Sequence, residues 1–151
     1  MIEGVIAKKL KLMPDERGRL MEILRKDDPF YESFGQAYIT SAYPGVVKAW
    51  HRHRKQKDHL TCIAGMAKLV LYDDREKSKT KGELNEFCIG ELNPLLIRIP
   101  NGVWHGFKCI SETECICMNL PTEVYMYDHP DEERMEPHKS SIPYDWSRKN
   151  K

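Results

Sequence analysis

The sequence has almost no net charge, with 24 Lys and Arg against 23 Asp and Glu, a balance of +1. Without an excess of either sign, composition gives no reason to expect a nucleic acid or a membrane surface as partner, and any electrostatic preference has to be local. Long hydrophobic runs are missing as well. The longest, such as Leu69 to Tyr72, are far too short to cross a bilayer, and no basic start leads into an apolar stretch of the signal-peptide kind. The five cysteines, Cys62, Cys88, Cys109, Cys115 and Cys117, are odd in number and follow no zinc-finger spacing. They read as reduced, partly buried thiols in a cytoplasmic protein. Helical periodicity is the last absence. No long stretch keeps apolar residues at i, i+3, i+4 and i+7, and Asp27 to Phe34 offers at most one helical turn.

What is present is a series of short β-branched and apolar runs. From Gln36 onward they recur as 36–41, 46–50, 60–63, 67–72, 86–89, 95–99, 106–110 and 115–119, each about the length of a strand. Tyr43-Pro44-Gly45, Asn93-Pro94 and Pro100-Asn101-Gly102 separate them with turn chemistry. A chain of 151 residues can bury a core without disulfides, and this pattern predicts one all-β domain, a sandwich or barrel. The core is expected over roughly residues 12–120, preceded by a short N-terminal arm. The irregular tail 121–151 carries Tyr125, Tyr127, Tyr144 and Trp146, more aromatic surface than disordered tails hold, and is expected to pack on the barrel or a partner. The charged segment Asp73 to Glu83 reads as an exposed hairpin loop.

The densest chemistry lies between Gly45 and Gly65. His51 and His53 are two residues apart, so on a strand they share one face, while Lys48 has the opposite parity and needs a bulge to join them. Further along, Pro100-Asn101-Gly102 delivers His105 at the start of another strand. His59, His129 and His138 fit a strand interior and a tail surface better than a site. Trp50 and Trp104 read as core or pocket wall.

These residues resemble the cupin superfamily. Gly45, His51, His53, Asp58 and Gly65 are similar to its first motif, and Pro100, Gly102 and His105 to its second. The resemblance implies a double-stranded β-helix, or jelly-roll, barrel. A closer resemblance, over roughly residues 12–119, is to the dTDP-4-dehydrorhamnose 3,5-epimerases and related 4-keto sugar-nucleotide epimerases. Asp15-Glu16-Arg17-Gly18 with Glu22, Gln36 with Ser41, Val47 to His51, Asp73-x-Arg75 with Ser78, Thr80 and Gly82, and Ile99 to Phe107 match its elements in order.

That resemblance implies an isomerase acting on a nucleotide-linked 4-keto-6-deoxy sugar, without metal or cofactor, as a cytoplasmic homodimer in deoxysugar or polysaccharide biosynthesis. His51 falls on the base that takes a proton beside the ketone, a task suited to imidazole near neutral pH. Lys48 matches a cation near the developing enolate oxygen. Arg17, Glu22 and Gln36 match positions that bind nucleotide or diphosphate, in the family partly across a dimer interface. Lys55, with Arg52, Arg54 and Lys57, adds positive charge suited to a diphosphate, and His53, Asp58 and His105 build the wall. The family tyrosine that protonates the opposite face aligns with Met118-Asn119. Tyr125, Tyr127 or Tyr72 therefore has to reach the site, with Tyr125 the preferred donor and Tyr72 a substrate contact. The family carboxylate after the first motif aligns with Leu69, and the further family aspartate that pairs with the catalytic histidine from the C-terminal region has no counterpart in this tail, a place Asp58 or Asp145 is left to fill. Three alternatives stay open: a metal-binding cupin using His51, His53, Asp58 and His105, a sugar-nucleotide 3,4-ketoisomerase, and a non-catalytic sugar-binding barrel.

Overall fold

The computed structural model describes residues 1–149. Two five-stranded antiparallel sheets face each other around one core, and a short two-stranded hairpin stands apart from them. In chain order the strands are β1 (Ile6–Lys9), β2 (Leu12–Asp15), β3 (Gly18–Met21), β4 (Tyr38–Ala42), β5 (Val47–Arg52) and β6 (Asp58–Ala64). They continue as β7 (Met66–Tyr72), β8 (Leu84–Gly90), β9 (Leu95–Ile99), β10 (Trp104–Cys109), β11 (Cys115–Asn119) and β12 (Glu133–Arg134). One sheet runs β1-β9-β6-β11-β4, the other β12-β5-β10-β7-β8, and β2 pairs with β3. This is the all-β cupin arrangement. No helix forms among the described residues; 27–34 is a chain of turns, with the Asp28 N–H donating to Arg25 O and the Tyr31 N–H to Asp28 O.

Alternation explains the sheets. In β11, Cys115, Cys117 and Asn119 point inward and are buried, while Ile116 and Met118 are only half-buried. The central strand β7 is apolar on both faces because both are covered. Its Ala67, Leu69 and Leu71 enter the inner core, and Val70 and Tyr72 pack outward with Trp50, Trp104, Ile142 and Trp146 in a second cluster. The tail therefore packs on this chain's own barrel, with Trp146 only 2% exposed.

Two expectations need correction. Residues before 12 are no loose arm: Ile2, Val5 and Leu10 are buried, and β1 extends the sheet beside β9. Burial of these three side chains outweighs the polar look of the segment. Asp73 to Glu83 is more than a solvated loop. The Asp73 carboxylate is fully buried and accepts hydrogen bonds from Arg75, Ser78 and Thr80, so it organises the turn between β7 and β8. Of the five thiols, four are buried and Cys88 is exposed, all free.

Candidate functional site

The site is set by strands entering one end of the interior. β5 brings His51, β6 brings Asp58, β10 brings His105 and β11 brings Asn119, and these line a small inner recess with Tyr38 and Thr40 of β4. Parity alone would turn Lys48 away. Between the pairs His105–His51 and Phe107–Lys48, however, β5 contains one residue more than β10, a bulge that returns Lys48 to the face of His51. Gly106 permits it. A Cβ there would stand 2.2 Å from the Ala49 Cβ, so any side chain would force the bulge away from β10. Lys48 then donates to Thr40 Oγ1 at 3.2 Å and lines a cavity of about 720 Å³ with His51 and Phe107.

The three imidazoles are wired differently. His105 and His51 have ring centroids 4.0 Å apart, His53 and His51 5.7 Å. His105 Nδ1 donates to Val103 O at 3.1 Å, and its Nε2 lies 3.2 Å from Asp58 Oδ2. Both nitrogens face oxygen acceptors. His53 donates through Nδ1 to the carbonyl of Asp131, while its Nε2 accepts from Gln56 Nε2 at 3.1 Å. His51 makes no side-chain hydrogen bond among the described residues, and its ring opens onto the cavities. Burial, the largest influence, and the neighbouring charge of His105 push its pKa well below the usual imidazole value, although Asp58 pulls the other way. His51 is therefore neutral at neutral pH, with a nitrogen lone pair available.

Asp58 is the anchor. Burial opposes its ionisation, but the hydrogen bond from His105, the positive charges beside it and the hydrogen bond from Asn119 outweigh that cost and hold the carboxyl well below its ordinary range. Gln56 Nε2 donates to Asp58 Oδ1 at 2.8 Å and Asn119 Nδ2 to the same oxygen at 2.7 Å. Asn119 Oδ1 accepts from the His59 N–H at 3.1 Å, which fixes the amide orientation, and Nδ2 also donates to the Tyr38 hydroxyl at 2.9 Å. Burial first, then the charge of Asp58, raise the Tyr38 phenol above its ordinary pKa. Ligand atoms of His51, His53, Asp58 and His105 all lie within 4.8 Å of one another, a donor set able to hold a divalent cation.

The tail closes this end. β12 pairs with Arg52 and His51 of β5, and Asp131 accepts the backbone N–H groups of Arg54, Lys55 and Gln56. A cavity of about 340 Å³ results, lined by Gln36, Tyr38, His51 and His53 on the barrel side and by Tyr125 and Arg134 on the tail side. A separate cavity of about 560 Å³ beside Lys68, Lys108 and Cys88 lies on the outer face and contains none of the candidate residues.

Of the residues singled out from sequence, His51, His53, Asp58, His105, Lys48, Gln36 and Tyr125 converge on this end. Four do not. Tyr72 pairs with Trp104 and packs on the outer face, because its parity is opposite to that of His105 and Leu71. Arg17 and Glu22 lie at the β2–β3 hairpin, exposed and paired with Asp15 and Arg25. Lys55 is exposed and held only through its backbone. Much of the basic loop is already neutralised: Arg52 and Arg54 pair with Glu133, and Lys57 with Glu32. Leu69 is core, and Asp145 only caps Ser147. Gln56, Asn119 and Tyr38 were not expected from sequence, although the even spacing of Cys115, Cys117 and Asn119 signals that Asn119 faces inward while Met118 does not.

Two facing antiparallel sheets with an imidazole and carboxylate cluster at one end define a cupin barrel with a polar site in its mouth. The family model for dTDP-4-dehydrorhamnose 3,5-epimerase matches residues 1–151. The chain is 46% identical over 146 residues to a probable low-salt glycan biosynthesis epimerase of Haloferax volcanii, covering 95% of this chain and 89% of that protein. It is 44% identical to the spore coat polysaccharide biosynthesis protein SpsL of Bacillus subtilis, covering 97% of each. The crystal structure of a dTDP sugar isomerase from Desulfovibrio desulfuricans G20 superposes with a TM-score of 0.90 at 34% identity, over 96% of this chain and 92% of that one. The chain belongs to the dTDP-4-dehydrorhamnose 3,5-epimerase family, and so to the isomerases.

Proposed function

We propose that the protein epimerises a nucleotide-diphosphate-linked 4-keto-6-deoxy sugar, with His51 taking the proton from the carbon beside the ketone and no metal or cofactor taking part. The observation that carries this reading is the setting of His51, an imidazole with its pKa depressed by burial and no side-chain hydrogen bond among the described residues, opening onto a cavity that Lys48 also lines. Its lone pair can accept a carbon-bound proton, and Lys48 on the same face is placed to stabilise the enolate that follows. The other two imidazoles are committed to Asp58 and to the tail, which suits a supporting role for both. Glycan and polysaccharide biosynthesis in the relatives supports a place in deoxysugar assembly. Free thiols fit the cytoplasm.

We further place the nucleotide at a homodimer interface. β4 is an edge strand with Ile39 61% exposed, and the β2–β3 hairpin pairs only with itself among the described residues while exposing Leu20. Arg17 and Glu22, remote from the cavity of their own chain, would then serve a partner's pocket. The test is incubation with a dTDP-4-keto-6-deoxyhexose in deuterated water. Deuterium is expected at a carbon adjacent to the ketone, and its absence with several such sugars overturns the reading.

The clustering of four donor groups within 4.8 Å favours one second reading, a divalent-metal cupin. Stoichiometric metal in protein purified without a nickel column, lost in His53→Ala, would establish it.

A further inference from the structure

The reaction proposed above needs an acid opposite His51, and neither Met118 nor Tyr72 supplies one. Met118 turns away from the interior, and Tyr72 packs outside the barrel. Tyr38 does face His51. The two sit on different sheets, Tyr38 on β4 and His51 on β5, and both line the 340 Å³ cavity, the 720 Å³ cavity and the small recess over Asp58. Tyr125 reaches only the 340 Å³ cavity, from the tail side. We propose that the Tyr38 phenol is the proton donor to the face of the sugar carbon opposite His51, taking over from β4 the role that the family tyrosine plays from the position of β11.

The hydrogen-bond pattern equips it for that role. Asn119 Oδ1 accepts the His59 N–H, so Nδ2 is the side of the amide that meets Tyr38, and the phenol oxygen accepts there. Its own O–H proton is not used in that bond and is left for a group in the cavity. After donation the phenolate keeps the Asn119 N–H as a stabilising partner, and the buried charge of Asp58 beyond Asn119 makes the anion short-lived. The proton count closes. His51 gains the proton as the C–H bond breaks and an enolate forms, Tyr38 O–H loses one as the new C–H bond forms on the other face, and solvent restores both groups. The substrate leaves inverted at one carbon, with no oxidant or reductant needed.

This inference rests on the epimerase reading, and one experiment separates the two. Wild type and Tyr38→Phe are incubated with a dTDP-4-keto-6-deoxyhexose in deuterated water, and NMR follows deuterium incorporation and configuration separately. In Tyr38→Phe, inverted product is expected to fall by roughly 10²- to 10⁴-fold, while exchange with retained configuration, driven by His51 alone, stays within about threefold of wild type. Replacing Tyr38 with 3-fluorotyrosine, which keeps an acid at that place, restores inversion and guards against a merely structural effect. Loss of exchange and inversion together in Tyr38→Phe, or undiminished inversion, overturns the proposal. So does uncoupling by Tyr125→Phe instead. Absence of exchange in the wild type overturns the epimerase reading and this proposal with it.

Discussion

The same strands that build the reactive end of the interior also build its opposite end, and the two could hardly differ more. β6 carries Asp58 at one end and Cys62 at the other, β10 carries His105 and Cys109, and β11 carries Asn119 and Cys115. Three inward-facing positions along a strand, four residue steps, cover roughly 13 Å, enough to pass from a hydrogen-bonded charge cluster to a packed wall of thiols and aliphatic chains. At the closed end Ile89, Cys115 and Cys117 are fully buried, and their contribution is dispersion and exclusion of water. At the open end His53, Gln56, His105 and Asn119 are all bonded within or beside the Asp58 cluster, while His51 makes no side-chain hydrogen bond among the described residues. Stability and chemistry are thus laid out at opposite ends of shared strands, so variants can separate them.

The largest separation is expected from His51→Gln. Removing the proposed base should lower deuterium exchange into the sugar by roughly 10²- to 10⁴-fold, while the melting temperature stays near that of the parent. A variant that loses stability but keeps its exchange rate would erase the contrast between the two ends. Ile89→Ala is the converse. It leaves a cavity in the closed end and should cost about 2–5 kcal/mol in urea unfolding, with little change in exchange rate per folded molecule. An intact unfolding curve with lost activity would show that the closed end reaches into the chemistry.

The smallest effect is one of pH. His51 has a depressed pKa in the folded state, so as pH falls below about 6.5 the unfolded chain binds a proton that the folded one refuses, and stability drops. His59, also depressed mainly by burial, adds to the same limb. Asp58, likewise depressed, contributes stability that is present above about 3.9 and is lost as acid protonates it below that. Melting temperatures measured across pH should therefore show two declines, and His51→Gln should flatten the upper one without moving the lower. An unchanged upper limb would place His51 outside the buried, uncharged state described for it.

Most of the strands were legible because alternation and turn chemistry are local. The run 95–99 and the run 115–119 coincide with β9 and β11, and the other six runs from residue 36 onward overlap their strands with ends displaced by a residue or more. β1 was not legible, since Ile6-Ala7-Lys8-Lys9 shows little apolar periodicity and joins the sheet through neighbours it meets only in the fold. At the site, the histidines and Asp58 carry motif spacing, which survives in one dimension. Tyr38 and Asn119 do not, because their pairing depends on β4 lying beside β11, a fact of topology. Lys48 falls between these cases. Its identity was visible, but the face it takes depends on one inserted residue opposite Gly106.

The tail that crosses β5 also has a meaning in time. By residue 120 a growing chain has made His51, His53, Asp58, Tyr38 and His105, yet Asp131 and Arg134, which hold the 54–56 backbone and wall the cavity, are still to come. During synthesis the barrel can close before it can select what enters it. A nascent chain on the ribosome would thus carry the His51 imidazole uncovered until the segment 131–134 follows it.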